Sequence, residues 1–331
     1  MLIRIATFTE NGRKKAKEIF SGQNEWNCVY RNGEELGEFV EEGFRKRQAL
    51  LFIGACGIAV RLIAPFVKDK LTDSPVVVMD EKGKFVIPIL SGHIGGANNL
   101  ARKVAKMCGG ECVITTETDL EQRFAVDLFA KEEGFRIINR EGIAKVSSKV
   151  LRENEVTLCV EPGIKIDGTK LPKEVRCVVF PPKEDVDIMI SQRETCGYAA
   201  SIYLVPKKIV VGVGCKKGKT FEELLQFTRE AIAEKTWDNV KAIASIDLKK
   251  DEMGLIELAN YYRVPFLTFT KEQLKAVEGD FSGSTFVESI TGVDNVCERA
   301  ALCALGENGY LIEKKKAEKG ITIAIAGGIN E

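Results

Sequence analysis

Short apolar segments alternate with amphipathic segments along most of the chain, and this alternation restricts the fold more than any other feature of the sequence. Apolar runs of strand length between segments with a helical period are typical of strands connected by helices. Such an order favours a mainly parallel sheet with helices on both faces, and therefore an α/β fold. The first stretch has predicted strands at 2–8, 49–53, 76–79 and 112–115 and predicted helices at 13–20, 34–47, 58–67 and 97–107.

The pattern changes in the middle of the chain and returns near residue 208. Segment 141–205 contains one predicted helix and then short β-rich runs, where Pro181-Pro182 interrupts any central strand. After it, strands are predicted at 209–213, 240–244, 266–269 and 321–326, helices at 221–233, 252–262 and 295–305, and a charged turn at 313–319. We predict three domains: an N-terminal α/β domain at 1–139, a small α+β middle domain at 140–206 and a C-terminal α/β domain at 207–331, with mainly parallel sheets in both α/β domains.

The charge of the chain is balanced, with 48 Lys plus Arg against 48 Asp plus Glu in 331 residues. Nucleic acid is therefore not an expected partner, because a neutral chain lacks the basic field that attracts phosphates. No apolar run approaches the roughly 20 residues of a membrane helix, so no membrane is expected either. The polar residues after Phe8 do not fit a signal peptide, and we expect a cytoplasmic protein.

Ten cysteines and a single histidine limit the chemistry that the side chains can perform. The cysteines form no CxxC pair, and the spacing of Cys108 and Cys112 does not match a zinc or cluster site. We therefore expect buried, reduced thiols, no protein-bound metal and no cofactor. Any imidazole chemistry must use His93.

Three junctions between a predicted strand and a predicted helix are rich in glycine. Ligands of open parallel sheets bind at such junctions, because backbone N–H groups of the first helical turn face the loop. At the first junction, Gly54 and Gly57 flank Cys56, and Arg61 follows one turn later. These residues suit a bound carboxylate or phosphate, and the glycines equally suit a tight turn against a packed helix.

The second junction, where the run 88–90 is the end of a further predicted strand and leads into the helix predicted at 97–107, contains the histidine. Its polar and glycine residues are Ser91, Gly92, His93, Gly95, Gly96 and Asn98. A turn needs no imidazole, whereas a general base that works near pH 7 does. Downstream, Thr115, Thr116 and Asp119 follow the next predicted strand. They could face the same loop, or they could cap the helix predicted to begin near residue 121.

The third junction ends in Gly-Lys-Thr, as a phosphate-binding P-loop does. The P-loop pattern requires a glycine at position 213, where this chain has Val213, and the dinucleotide pattern requires one at 217, where it has Lys217. We therefore expect a ligand with several carboxylates here in place of a nucleotide. The candidate binding residues are Gly212, Gly214, Cys215 and Lys216.

Together these segments resemble the CbiG family of anaerobic cobalamin biosynthesis. In the first half of the chain the resemblance rests on GACGIAVR at 54–61, LSGHIGGAN at 90–98 and the Thr-rich segment 114–119. In the second half, VGVGC at 211–215, ASID at 244–247, KDEMGL at 250–255 and TGVDNVCE at 291–298 are similar to the family's CobE-like C-terminal domain. The resemblance covers nearly the whole chain in order, and SGHxGGAN is its most specific motif.

The resemblance implies a hydrolase that acts on a cobalt-bound corrinoid, cobalt-precorrin-5A. Water opens a δ-lactone between the ring A acetate and a meso carbon, and a two-carbon fragment leaves as acetaldehyde, which gives cobalt-precorrin-5B. The partner is then a small-molecule substrate that brings its own cobalt. A homodimer and a hand-off to other enzymes of the pathway stay open.

The residue types suggest how each group contributes to this reaction. We expect His93 to act as the base for the attacking water, glycine N–H groups of its loop to stabilise the oxyanion and Asp119 to orient His93. Ser91 or Thr116 would hold a substrate carboxylate. In the alternatives, His93 only contacts such a carboxylate, or Cys56 is a nucleophile at a helix N-terminus. Two other functions stay open: a corrinoid or tetrapyrrole carrier without turnover, and a P-loop nucleotide-dependent enzyme.

Overall fold

The computed structural model describes residues 2–22, 26–31, 35–69, 72–93, 95–115, 123–153, 155–168, 171–307 and 309–328. By its internal contacts the chain divides into two units, Met1–Arg123 and Phe124–Glu331. The boundaries of the three domains predicted from the sequence stay a prediction. Within the described ranges, no helix has the length and apolar character needed to cross a membrane.

The first unit contains one six-stranded sheet in the order β2-β1-β3-β4-β5-β6. Its strands are β1 (Leu2–Thr7), β2 (Asn27–Tyr30), β3 (Ala49–Ile53), β4 (Val76–Met79), β5 (Phe85–Leu90) and β6 (Glu111–Cys112). Its helices are α1 (Glu10–Phe20), α2 (Leu36–Arg45), α3 (Cys56–Ile63), which continues as a 3-10 turn (Ala64–Phe66), and α4 (Ala97–Cys108). Every adjacent pair of strands is parallel except β4 and β5. The predicted α/β fold is confirmed.

Strand β3 shows why this sequence forms a sheet with two covered faces. All five of its residues are buried. Ala49, Leu51 and Ile53 belong to a core formed with α1 and α4, whereas Leu50 and Phe52 belong to a core formed with α2 and α3. Successive side chains of a strand point to opposite faces, so a continuous apolar run fits a strand that helices cover on both sides.

Because β5 runs antiparallel to β4, the loops of this unit lie at two opposite edges of the sheet, where each edge is a row of strand ends. Ile53, the last residue of β3, pairs with Met79, and Val76 at the start of β4 pairs with Leu90 at the end of β5. The loop after β3 and the loop after β5 are therefore separated by the length of β4, which has 4 residues, or roughly 13 Å at the usual rise of a strand.

The second unit begins with a five-stranded sheet in the order β7-β11-β10-β8-β9. Its elements are α5 (Val126–Glu132), β7 (Phe135–Ile137), α6 (Glu141–Glu153), β8 (Val156–Val160), β9 (Val175–Val178), β10 (Val186–Ile190) and β11 (Ala200–Pro206). Strands β8 to β11 are parallel, and β7 pairs antiparallel with β11. The strands of this sheet are more regular than the short β-rich runs that the sequence predicted here. Pro181-Pro182 interrupts none of them, because it lies in the loop between β9 and β10.

The second sheet of this unit has the order β14-β13-β12-β16-β15. Its elements are β12 (Ile209–Cys215), α7 (Phe221–Ala231), β13 (Val240–Ile246), α8 (Met253–Tyr262), β14 (Phe266–Phe269), α9 (Lys271–Lys275), α10 (Thr285–Thr291), α11 (Cys297–Cys303), β15 (Gly309–Glu318) and β16 (Ile321–Gly328), with 3-10 turns at Glu234–Asn239 and Asp247–Lys249. The prediction of a charged turn at 313–319 is wrong, because most of that segment belongs to β15. Its charged residues suit the edge of a sheet, where lysines discourage pairing with other chains.

A buried carboxylate connects α6 to the first sheet of the second unit. Both oxygens of Asp187 accept from the ammonium of Lys149 at 2.9 Å, and one also accepts from the N–H and the hydroxyl of Thr157 at 2.8 Å. Burial by itself raises the pKa of Asp187, but the hydrogen bonds from Thr157 and Lys149 outweigh it and hold the pKa below the ordinary value of 3.8.

We expect the variant Asp187→Asn to lower the free energy of unfolding at neutral pH by about 2 kcal/mol, because it removes charge-assisted hydrogen bonds from a buried site. The depressed pKa of Asp187 stabilises the fold above pH 3.8, and this contribution is lost as the pH falls. Urea unfolding should therefore show a difference from the wild type that shrinks below that pH. The exposed Asp185→Asn is the control, and a difference independent of pH would contradict the assignment.

Candidate functional site

The loop between β5 and α4 holds its first residue in an unusual conformation. Ser91 has a φ of 53°, in the left-handed region that a side chain with a Cβ disfavours, and it is buried. Its hydroxyl donates to the backbone carbonyl of Asp73 at 3.1 Å. Residues in strained backbone conformations are concentrated at functional sites, so the positive φ of Ser91 makes this loop a candidate functional site.

The glycines of this loop allow it to close on itself. A Cβ on Gly92 would lie 2.6 Å from Oδ1 of Asn98, and a Cβ on Gly95 would lie 2.4 Å from Cβ of Ser91. The N–H groups of Gly96, Ala97 and Asn98 donate to carbonyls within the loop, at 2.9 to 3.1 Å. The backbone N–H groups of Gly96 and Asn98 are thus used within the loop, and the binding of a ligand by these two residues stays a prediction. Asn98 is buried beneath the loop and serves its shape.

His93 lies half-buried in the middle of this loop, just before the N-terminus of α4. Its carbonyl accepts from the N–H of Gly96 at 3.1 Å, and two residues earlier the carbonyl of Ser91 accepts from the N–H of Ala97 at 3.1 Å. The N-terminus of a helix favours negative charge nearby. The N–H groups of Gly96, Ala97 and Asn98 at this terminus already donate within the loop, so an anion near His93 would meet the other N–H groups of the turn.

The segment after β6 leaves the sheet at the same edge as the His93 loop. β6 is parallel to β5, and Val113 donates to the carbonyl of Val86 as the strand direction continues. Thr115 is exposed at this end. Thr116 and Asp119 lie outside the described residues, so the pairing of Asp119 with His93 stays a prediction.

The first glycine junction lies at the opposite edge of the same sheet. Gly54 follows β3 and donates to the carbonyl of Met79 at 2.8 Å. The structure therefore does not bring Cys56 and His93 together. Within the first unit, a reaction centred on one of these residues takes place at a different edge from a reaction centred on the other.

The residues of the first junction have packing roles. A Cβ on Gly54 would lie 2.5 Å from the ring of Phe8, so the glycine lets that ring approach the backbone. Cys56 packs against the core that α2 and α3 form on the sheet. Arg61 is exposed, and its guanidinium donates to the carbonyl of Gly57 at 3.3 Å. Anion binding by Gly54, Gly57 and Arg61 stays a prediction.

The third junction differs from its predicted role because its glycines lie inside a strand. Gly212 pairs with Ala244 of β13 and with Ala324 of β16, and Gly214 pairs with Thr322 of β16. Backbone groups of a central strand serve the two neighbouring strands, so these glycines do not form an anion-binding loop. Instead, α11 packs directly on the backbone at Gly212, where a Cβ would lie 1.8 Å from the carbonyl oxygen of Cys297.

We expect Gly212→Ala to destabilise the second unit by about 2 kcal/mol, because the added methyl group must push α11 away from the sheet. The matched control is Gly57→Ala in α3, where the nearest atom to the added Cβ is Nη1 of Arg61 at 3.8 Å. Thermal unfolding of both variants checks this prediction. An unchanged midpoint for Gly212→Ala would show that the helix does not need the glycine.

The loop that follows β12 is occupied by carboxylates of the protein itself. The N–H of Gly218 donates to Glu252 at 2.8 Å, and the N–H of Thr220 donates to Glu223 at 2.9 Å. Lys219 forms an ion pair with the same Glu223 at 2.6 Å. These carboxylates take the place that a phosphate has in a P-loop, and the Gly-Lys-Thr segment is an N-terminal cap of α7.

Cys215 and Lys216 stand between this loop and the sheet. Burial raises the pKa of the Cys215 thiol to about 11, which disfavours the reactive thiolate. The N–H of Lys216 donates to the carbonyl of Gly320 at 2.9 Å, and its side chain is exposed. Of the predicted binding residues at this junction, Lys216 is therefore the exposed one.

The cysteines are free thiols that differ in burial. All ten cysteines are free thiols, but only Cys159 and Cys297 are fully buried, so the expectation of buried thiols is correct for those two alone. Over the part of the chain that the structure describes, no three His, Cys, Asp or Glu side chains are grouped so that they could hold a metal ion. The prediction that the protein holds no metal of its own stays a prediction.

Comparison with known proteins relates both units to one family. Sequence profiles described as "Cobalamin synthesis G N-terminal" and "Cobalamin synthesis G C-terminus" match residues 38–119 and 209–326. A protein named "Cobalt-precorrin-5A hydrolase" from Salmonella typhimurium is 37% identical over 86% of this chain and 83% of its own length. The chain belongs to the CbiG family. Two further CbiG relatives are "Cobalt-precorrin-5A hydrolase" of Priestia megaterium, 33% identical over 86% of this chain and 79% of the relative, and "Probable cobalt-precorrin-5A hydrolase" of Methanocaldococcus jannaschii, 29% identical over 98% and 99%.

Two buried acidic residues within the matched ranges are absent from the set of predicted site residues. Asp73 lies within the N-terminal match and anchors Ser91, and Glu298 lies within the C-terminal match and is fully buried. A signal for Asp73 was present, because an aspartate just before Ser-Pro and a strand is typical of a side chain that bonds the local backbone. Glu298 gave no such signal, since its partners lie in separate segments of the chain.

Proposed function

We propose that this protein is a cobalt-precorrin-5A hydrolase of cobalamin biosynthesis. The observation that carries the proposal is the similarity to proteins of that name over most of the chain, at 37% identity for the relative from Salmonella typhimurium. The loop that contains His93 supports it, because it combines a strained serine, a half-buried imidazole and the start of a helix at one edge of the sheet.

The proposed reaction consumes one water. The water oxygen adds to the carbonyl carbon of the lactone, and the bond from that carbon to the ring oxygen breaks. This leaves the ring A acetate as a carboxylic acid and a hydroxyl on the former meso carbon. The bond from that carbon to the macrocycle then breaks: the hydroxyl gives up its proton as acetaldehyde forms, and the macrocycle keeps the electron pair and takes a proton. Cobalt stays bound to the corrinoid throughout.

In this proposal, His93 removes the proton from the attacking water. A neutral imidazole is suited to this near pH 7. The oxyanion role falls to the N–H groups of Gly92 and Gly95, because Gly96 donates to the loop itself. Thr115, with Thr116 and Asp119 as proposed neighbours, follows β6 at the same edge, where hydroxyls suit the carboxylates of the substrate.

The proposal is tested with the full chain and cobalt-precorrin-5A under anaerobic conditions. We expect one acetaldehyde for each substrate consumed, measured by its reduction with NADH and alcohol dehydrogenase, and oxygen from isotopically labelled water in the ring A carboxylate. Binding of the corrinoid without acetaldehyde would support the alternative, a carrier for corrinoids or other tetrapyrroles. A P-loop enzyme is not proposed, because Glu223 and Glu252 already fill the loop.

A further inference from the structure

We propose that Ser91 and Asp73 are positioning residues for His93, and that the Ser91 hydroxyl holds the loop and does not bind the substrate. The inference rests on the proposed function, in which His93 acts on water. It replaces the expectation from the sequence that Ser91 holds a substrate carboxylate.

The positive φ of Ser91 is unusual for its place in the chain. Four non-glycine residues in the described chain have a positive φ. Arg47 lies in a turn, Arg263 ends α8, and Lys319 lies in the hairpin turn between β15 and β16. Those three are at positions where the chain reverses or a helix ends, and each is less buried than Ser91. Ser91 directly follows a strand and takes this conformation under the surface.

The hydroxyl of Ser91 explains this conformation. It donates to the carbonyl of Asp73 at 3.1 Å, with both residues buried. On the other side of Ser91, its carbonyl accepts from Ala97 at 3.1 Å, and Gly95 closes over its Cβ. The strained residue is thus fastened from both sides, and His93 is two residues further along the chain.

Asp73 is itself fixed, so that it can serve as an anchor. Its carboxylate accepts from the N–H of Lys68 at 3.0 and 3.1 Å and from the N–H of Asp69 at 3.1 Å, and its own N–H donates to the carbonyl of Asp69 at 2.9 Å. These bonds tie Asp73 to Lys68 and Asp69. The acceptor for Ser91 therefore has a defined position at the edge of the sheet where the His93 loop begins.

A count of protons separates the two roles of Ser91. A hydroxyl has one proton to donate, and an ionised carboxylate can only accept. While the Ser91 proton is donated to Asp73, it is not available to a carboxylate of the substrate. The geometry therefore assigns Ser91 to the framework of the loop.

The test compares Ser91→Ala and Ser91→Gly with Ser74→Ala. Ser74 is a matched control, because its buried hydroxyl also donates to a backbone carbonyl at 3.1 Å, but to that of Gly43 in α2. Glycine accepts a positive φ without strain, so Ser91→Gly keeps the fold even if Ser91→Ala does not. With cobalt-precorrin-5A, we expect both Ser91 variants to lower kcat about tenfold or more and to leave KM within about twofold, whereas Ser74→Ala changes neither.

A second readout does not depend on turnover. His93 is the one histidine in the sequence, so the imidazole signals in a proton NMR spectrum of the untagged chain belong to it alone. We expect these signals to shift or broaden in Ser91→Gly and to stay unchanged in Ser74→Ala. An unchanged spectrum together with a raised KM and a normal kcat would overturn the inference in favour of substrate binding. If the wild-type chain releases no acetaldehyde, the proposed function fails, while the NMR comparison still decides whether Ser91 positions His93.

Discussion

Replacing His93 with glutamine is expected to slow the release of acetaldehyde by a factor on the order of 100 to 10,000, the usual contribution of a general base. Glutamine keeps the approximate size of the side chain and its ability to form hydrogen bonds, but it cannot take a proton from water near neutral pH. The sequence contains no second histidine that could replace it. The measurement is kcat/KM for acetaldehyde formation from cobalt-precorrin-5A.

The control for this variant is Asn99→Ala, in the first turn of α4 and exposed to solvent. It should keep both the activity and the thermal unfolding midpoint of the wild type. Near-normal turnover by His93→Gln would contradict the role of the imidazole as a base. If the variant instead loses affinity for the substrate while kcat is kept, His93 contacts a substrate carboxylate.

Cys56→Ser decides between the two edges of the first sheet. Because β5 is antiparallel to β4, the loop with Cys56 and the loop with His93 leave the sheet at opposite ends of its strands. Full activity of Cys56→Ser alongside a loss in His93→Gln would assign the chemistry to the edge with Ser91 and His93. The reverse pattern would assign it to the N-terminus of α3.

The fold was predictable where the sequence pattern is local. The five apolar residues of β3 are found at the predicted positions, and β4 and β14 also have the predicted limits. Among the strands that were missed, two show the physical reason. β2 is only partly buried and short, and β15 lies at a sheet edge, where its short apolar start is followed by the charged residues 313–316.

The arrangement of the candidate site was not predictable from strand-to-helix junctions alone. All three glycine junctions were expected at the carboxyl ends of parallel strands, but β5 is antiparallel to β4. The connection from Met79 to Phe85 contained the missing information, because a parallel crossover needs about a dozen residues or more. The packing role of Gly212 was not predictable either, because the carbonyl of Cys297 that it contacts is far away in the sequence.

Glu298 shows how a buried charge can hold distant segments together. Its carboxylate is fully buried in α11 and accepts four hydrogen bonds. The donors are the N–H of Ser282 at 2.8 Å, the hydroxyl of Ser282 at 3.1 Å, Nδ2 of Asn295 at 2.6 Å and the N–H of Lys315 at 2.6 Å, two on each oxygen. The side chain thereby connects α11, the loop before α10 and strand β15.

Glu298→Gln is therefore expected to lower the free energy of unfolding of the second unit by about 3 kcal/mol. A carboxylate only accepts hydrogen bonds, whereas the glutamine amide would point its NH₂ group at two donors inside the protein. The measurement is urea unfolding followed by the fluorescence of Trp237, in a Trp26→Phe background that removes the other tryptophan. Glu288→Gln, on the exposed face of α10, is the control and should change the stability by less than about 0.5 kcal/mol. Equal stability of the two variants would show that the four hydrogen bonds to Glu298 add nothing that an amide cannot replace.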